Sequence, residues 1–261
     1  MLKIHCNLKK LLVAGFVLSA TIIPFTSALL STSAASTASS TAIAIKDYSG
    51  MASGLFNNMR TPAALIGGAI VPIGILSAPP IEQKDSAKMK VLKKMNLLLA
   101  VSSLLSEILA ITYSTVAINK LAEVQFAPTA GVAELLSQYF ELAWIGTNVH
   151  FLFGMFGFGL LVGTKSHFLY GGSVGKIASS LSLAAFLQCI SIVNKGIAWG
   201  SGSSSPRFAS NLFSLALRYT KLVFSSGRTC PFSVGAIICG MFSVFLAVKH
   251  FFEQIPKKKT D

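Results

Sequence analysis

Two ionisable side chains lie inside long apolar stretches and are the first candidates for chemistry. Glu107 is the only charged residue in segment 96–118, and His150 lies in segment 142–163, which contains no Asp, Glu, Lys or Arg. In a bilayer such residues are costly, and they usually face a partner inside the helix bundle. A hydrogen-bonded pair of Glu107 and His150 would relieve this cost. Such an intramembrane pair could move protons, or it could hold His150 as an axial ligand.

Other interpretations of these two residues stay open. Each could hydrogen-bond a hydroxyl or a backbone carbonyl nearby and so fix helix packing, and four serines are near enough to Glu107: Ser102, Ser103, Ser106 and Ser114. Binding of haem or chlorophyll through His150 is a further alternative, although a lone histidine does not by itself predict a cofactor. The sequence lacks HExxH and paired-histidine spacings, so we expect neither an enzyme nor a metal site.

Small residues recur along the helix that carries His150. They are Gly154, Gly157, Gly159 and Gly163, of which the last two form a GxxxG pair. Glycines at this spacing let the backbone of another helix, or a flat ring, approach closely. We therefore predict helix packing at these four positions, with pigment contact as the alternative.

The elements that must position these residues are membrane-spanning helices. Hydrophobic residues make up 52% of the chain and charged residues 12%, whereas soluble domains carry about 25% charged residues. Four segments are firm candidates for spans: 96–118, 142–163, 177–193 and 232–248. A fifth, 62–78, is rich in Gly and Pro and barely long enough to cross about 30 Å of hydrocarbon. The sequence thus predicts an all-α, polytopic transmembrane helix bundle.

Charged residues orient the predicted spans. The loop 79–96 holds five lysines, the loop 163–176 two, and the tail after 248 four. Alternating spans place these three segments on one side and the connections 119–141 and 195–230 on the other. Clustered lysines of this kind indicate topology or contact with anionic lipid, so we expect lipids and other membrane proteins as partners and no nucleic acid.

An amphipathic helix is predicted over residues 211–225, between the last two spans. Polar side chains recur on one face and apolar ones on another, the first set being Asn211, Ser214, Arg218, Lys221 and Ser225 and the second Leu212, Leu215, Ala216, Tyr219 and Leu222. A helix of this composition is expected to lie along the membrane interface.

The N-terminus has the order of a targeting leader. Residues 1–28 read as a signal peptide, with a basic start, an apolar run and the small-residue site Thr26-Ser27-Ala28. Residues 29–59 are rich in Ser, Ala and Thr and predict a transit-like or disordered segment. Together they resemble the bipartite plastid presequence of diatoms and related algae, with Leu29 where an aromatic residue is usual. The alternative is an ordinary secretory signal followed by a spacer, which would imply the secretory pathway or plasma membrane.

A wider resemblance covers about residues 60–165. The stretch Arg60-Thr61-Pro62-Ala63-Ala64-Leu65, the span with Glu107 and the helix at Phe140-Glu141 resemble uncharacterised multi-pass plastid membrane proteins of algae and plants. This resemblance implies a thylakoid or inner-envelope location and brings no chemistry with it.

The function that the sequence favours is non-enzymatic. We expect a structural or accessory subunit, or an assembly factor, of a plastid membrane complex that binds partners through the glycine-rich helix and the basic stromal face. The alternatives are a small ion, proton or solute carrier that uses Glu107 and His150, and a haem- or pigment-binding membrane protein.

Overall fold

The computed structural model describes residues 46–198, 208–227 and 231–253. The predicted signal peptide 1–28 lies outside these residues. Seven helices follow one another in the described part: α1 (Ser49–Ile70, continued by the π-helical turn Val71–Leu76), α2 (Ala87–Glu123), α3 (Val132–Tyr139), α4 (Glu141–Tyr170), α5 (Gly172–Ala198), α6 (Leu212–Gly227) and α7 (Pro231–Glu253). The predicted all-α class is confirmed.

Four of these helices are long and apolar enough to cross a membrane. They are α1 with its π-helical turn (28 residues), α2 (37 residues), α4 (30 residues) and α5 (26 residues to Ile197). The chain is therefore a multi-pass membrane protein. The weakest predicted span, 62–78, belongs to the first of these helices, whose length of about 42 Å at ~1.5 Å per residue exceeds the hydrocarbon core. The predicted span 232–248 lies in α7, which has a shorter apolar stretch, Val234–Lys249.

Helix α1 begins inside the segment 29–59, which the sequence predicts to be transit-like or disordered and of which the structure describes residues 46–59. Residues from Ser49 onward are helical, and Ala52 and Phe56 are fully buried. The Phe56 ring packs edge-on against Trp144 with centroids 5.5 Å apart. Ala52 and Phe56 are four residues apart and so share one helix face. Small residues around them hide this face in the composition, which is why it was missed.

Helices α1, α2 and α4 pack against one another, and α2 runs antiparallel to the other two. Glycines of both neighbours face side chains of α2. A Cβ atom on Gly67 of α1 would lie 3.5 Å from Glu107 Cβ, and one on Gly146 of α4 would lie 2.9 Å from Tyr113 Cε2. Because small residues permit this approach, the polar side chains of α2 are enclosed by helix backbone.

Contacts at the two ends of the bundle agree with the predicted topology. At one end, Lys165 Nζ lies 2.8 Å from Ser77 Oγ, which joins the end of α4 to the start of the lysine-rich loop. At the other end, Arg218 of α6 forms an ion pair with Glu141, the first residue of α4. The predicted amphipathic helix is thus formed by α6, and its Leu215 packs against Ile145 of α4.

The loop between α1 and α2 is organised by one lysine. Lys93 Nζ lies 2.7 Å from Asp85 Oδ2 and 2.7 Å from the carbonyl oxygen of Pro80. The carboxylate of Asp85 also accepts a hydrogen bond of 2.8 Å from the backbone N–H of Glu82. The hydrogen bond from Lys93, followed by that from Glu82, lowers the pKa of Asp85 below its usual value.

Replacing Asp85 by Asn should loosen this loop, because Lys93 loses its ion pair. We expect limited proteolysis of Asp85→Asn protein to cleave the loop faster at neutral pH. Since the pKa of Asp85 is lowered in the folded protein, the stabilisation by the ion pair is complete at pH values above the unfolded pKa of about 3.9. The stabilisation is lost as the pH falls through the lower pKa of the folded protein. Glu82→Gln is the control, because the carboxylate of Glu82 pairs with Lys84, whose side chain is 85% exposed. Equal cleavage of both variants and the wild type would contradict the assignment.

Candidate functional site

A line of buried polar side chains runs through the contact between α2 and α4. Asn96, Ser103 and Glu107 of α2 and Thr147 of α4 are all fully buried. The three α2 residues are spaced by seven and four, which keeps them on one helix face. We call these four residues the polar seam.

Glycines of α4 make room for the seam. A Cβ atom on Gly154 would lie 2.6 Å from Glu107 Cδ, and one on Gly157 would lie 3.1 Å from Ser103 Cβ. Both distances are shorter than ordinary contact between carbon atoms, which is about 3.5–4.0 Å. The carboxyl group of Glu107 therefore lies directly against the α4 backbone.

Several atoms of the seam lack an internal hydrogen bond. Among the described residues, no partner is present for either carboxyl oxygen of Glu107, for Ser103 Oγ, for Thr147 Oγ1 or for Asn96 Nδ2. Leaving one such neutral group unpaired costs about 1–3 kcal/mol, and burying a bare charge costs more. Glu107 is thus placed to bind a proton, a small cation or a water molecule.

His150 has a different partner from the one predicted. Its Nε2 lies 2.7 Å from Tyr219 Oη of α6, and the Tyr113 ring stacks on the imidazole with centroids 6.0 Å apart. The two phenolic oxygens are 3.4 Å apart. Burial raises the pKa of Tyr219 above its usual value, so its hydroxyl keeps its proton.

The hydrogen bond expected between Glu107 and His150 is not formed. Glu107 points to Gly154, which is one helical turn beyond His150 on α4. The register of the two helices therefore separates the pair, and Tyr113 occupies the place next to the imidazole.

Two of the four serines proposed as partners of Glu107 bond their own helix. Ser114 Oγ donates to the carbonyl oxygen of Ala110 at 2.7 Å, and Ser102 Oγ to that of Leu99 at 3.2 Å. These bonds satisfy the hydroxyls of Ser102 and Ser114 locally, whereas Ser103 Oγ and the carboxyl group of Glu107 have no hydrogen-bond partner among the described residues.

The four glycines of α4 differ in what they face. Gly154 and Gly157 face α2, and Gly163 faces α5, where an added Cβ would lie 2.8 Å from Ser182 Cβ. Gly159 has no heavy atom within 4 Å of that position. Three of the glycines are therefore used for packing inside this chain.

The described residues offer little for a metal or a cofactor. Within these ranges, no group of three His, Cys, Asp or Glu side chains could hold a metal ion. His150 Nε2 would have to give up its bond to Tyr219 before it could become an axial ligand. The geometry gives no support to binding of haem or chlorophyll through that nitrogen.

Sequence reasoning missed Asn96 and Thr147 and the tyrosine partners of His150. Spacings of seven and four from Asn96 to Ser103 and Glu107 were a usable signal for one polar face. Tyr219 gives no such signal, because the sequence pattern puts it on the apolar face of the predicted amphipathic helix.

Comparison of the chain with family models, with curated proteins and with solved structures gives no match. Function is therefore inferred from the polar seam and from the outer surfaces of the bundle.

Tyr219→Phe should destabilise the protein, because it removes a hydrogen bond and leaves His150 Nε2 buried without it. We expect a loss of about 1 kcal/mol in the free energy of unfolding, measured by thermal or denaturant unfolding in detergent. The control is Tyr139→Phe, which removes a hydroxyl from a residue that is 47% exposed. It should change stability by less than about 0.5 kcal/mol. Equal stability of the two variants would contradict the assigned bond.

Proposed function

We propose that this protein is a small membrane carrier that moves protons or a small cation, with Glu107 as the binding group. One observation carries the proposal: a fully buried carboxyl group at membrane depth has no hydrogen-bond partner among the described residues. Intramembrane acids of this kind mark ion paths and proton relays. A residue needed only for packing would be replaced by an apolar one at lower cost.

Polar groups on both sides of Glu107 support a path. Towards the lysine-rich end, Ser103 and Asn96 follow on α2, and Asn96 Oδ1 accepts a 2.8 Å hydrogen bond from Thr164. Eleven residues separate Asn96 from Glu107, about 16 Å along the helix or half of the hydrocarbon thickness. Towards the other end, the hydroxyls of Tyr113 and Tyr219 and the imidazole of His150 continue the line. In this proposal His150 is a relay near the end of the path.

A second candidate is the accessory subunit or assembly factor that the sequence favours. Its first support, the glycine-rich helix, is weakened because Gly154, Gly157 and Gly163 contact other helices of the same chain. Another observation favours it: no residue of α5 between positions 176 and 197 is buried. Lipid or a partner helix must cover that surface. Migration in a large complex on native gels would support this role.

The membrane in which this function operates is part of the same proposal. The predicted signal peptide 1–28 and the Ser/Ala/Thr-rich tract that follows it support a plastid membrane, thylakoid or inner envelope. The lysine-rich end of the bundle would then face the stroma. Imaging of a C-terminal fluorescent fusion tests this location directly.

The carrier proposal is tested with the purified full chain in liposomes that contain a pH-sensitive dye. Under an imposed pH gradient, with sodium present for exchange or with potassium and valinomycin to carry compensating charge, wild-type protein should collapse the gradient faster than empty vesicles. Glu107→Gln should fall to the rate of empty vesicles, because the amide neither takes up a proton nor binds a cation strongly. The matched control Glu123→Gln removes a carboxylate that is 58% exposed and should leave the flux unchanged.

Two outcomes would overturn the carrier. One is a wild-type flux equal to that of empty vesicles for protons and for both cations. The other is full flux in Glu107→Gln protein. Thermal unfolding of each variant shows whether a lost flux reflects a lost fold.

A further inference from the structure

An open groove lies on the outer face of the bundle between α1 and α2. Its volume is about 450 Å³, and it is lined by Arg60, Thr61, Ala64, Leu65, Ile111 and Thr115. None of the seam residues lines it. Because Leu65 is 72% exposed, the groove opens towards the surroundings of the bundle, away from its core.

The lining of the groove is polar at one end and apolar at the other. Helices α1 and α2 are antiparallel, and Gly67 faces Glu107 while Gly74 faces Ala100. The same register places Thr115 beside Arg60. The guanidinium and the hydroxyls of Thr61 and Thr115 therefore form one end, and the side chains of Ala64, Leu65 and Ile111 form the other.

Arg60 is a cation without a counter-ion in the described structure. Neither an ion pair nor a hydrogen bond joins its side chain to another described residue. The groove lining contains no Asp or Glu. A guanidinium offers several N–H donors in a planar fork that fits phosphate oxygens, and the two hydroxyls can add further donors.

The depth of Arg60 fits the level of lipid headgroups. Thr115 precedes Lys120 by five residues, about 8 Å along the helix. Lys120 is 57% exposed and pairs with Glu123 at the end of α2. Arg60, at the level of Thr115, thus lies just inside the charged end of the helix, and the apolar end of the groove points into the hydrocarbon.

We propose that this groove binds one anionic phospholipid. Its phosphate lies against Arg60, Thr61 and Thr115, and an acyl chain lies over Leu65 and Ile111. A free phosphate ion would use only the polar end, whereas the groove continues as an apolar surface into the bilayer. A zwitterionic lipid has the acyl chains but brings a cationic group close to the guanidinium. The inference does not depend on transport through Glu107.

The test is retention of lipid by the purified full chain, measured by native mass spectrometry from detergent that contains equimolar phosphatidylglycerol and phosphatidylcholine. Wild-type protein should retain one phosphatidylglycerol in preference to phosphatidylcholine. Arg60→Gln should lower that retention about five-fold, the effect of one basic contact with an anionic headgroup. Lys84→Gln is the control, because it removes an equal charge from a side chain that is 85% exposed in the lysine-rich loop.

A second variant tests the apolar end of the groove. Leu65→Trp keeps Arg60 but fills the space beside Ile111, so it should also lower retention of phosphatidylglycerol. Unfolding temperatures are compared for all variants. If Arg60→Gln protein does not fold, the retention of phosphatidylglycerol by Leu65→Trp protein tests the proposal.

Four outcomes would overturn the proposal. They are equal retention by Arg60→Gln and wild type, equal retention of the two lipids by wild type, full retention by Leu65→Trp, and displacement of the lipid by millimolar inorganic phosphate. The last result would identify a site for a free anion in place of a lipid.

Discussion

The close contact between α2 and α4 is the constraint on which the rest of the structure depends. Tyr113, Glu107 and Ser103 of α2 point at Gly146, Gly154 and Gly157 of α4, so each long or polar side chain meets a position without one. This arrangement brings the two backbones together and leaves both carboxyl oxygens of Glu107 without a hydrogen-bond partner among the described residues. His150 instead contacts Tyr113 and Tyr219. The contact between α2 and α4 therefore determines which residues lie on each side of Glu107 in the candidate path.

The helices could be predicted from the sequence because apolar length is a local property, whereas the pairing of residues across helices is not. Counted from Ile118 and Leu142, Glu107 lies about 16 Å deep and His150 about 12 Å deep in an antiparallel pair, and the long Glu107 side chain was expected to close that gap. The structure keeps this offset, with Glu107 against Gly154, one turn beyond His150. The carboxyl group does not reach back to the imidazole, whose Nε2 instead contacts Tyr219 of α6, a residue far along the chain that depth along two helices does not predict. The helical part of 49–59 was missed for a related reason, since its buried face depends on partners far along the chain.

The inner and outer surfaces of the bundle follow opposite rules. Inside, glycines enclose the polar side chains, and the unpaired carboxyl group of Glu107 there supports the proposed proton or cation carrier. Outside, apolar side chains face lipid at no cost, and Arg60 at the edge of the hydrocarbon supports the proposed site for an anionic headgroup. The polar seam and the groove are thus both consequences of a bundle that is surrounded by hydrocarbon.

A double-mutant cycle tests directly whether the carboxyl group of Glu107 lies against Gly154, the contact on which the candidate path depends. The free energy of unfolding is measured in detergent for Glu107→Ala, Gly154→Ala and the double variant. We expect Gly154→Ala to destabilise the wild type by about 1–3 kcal/mol and the Glu107→Ala protein much less. The coupling free energy between the two substitutions should be at least about 1 kcal/mol. Gly159→Ala, at a position with open space, should show no coupling. Additive effects of Glu107→Ala and Gly154→Ala would contradict the account.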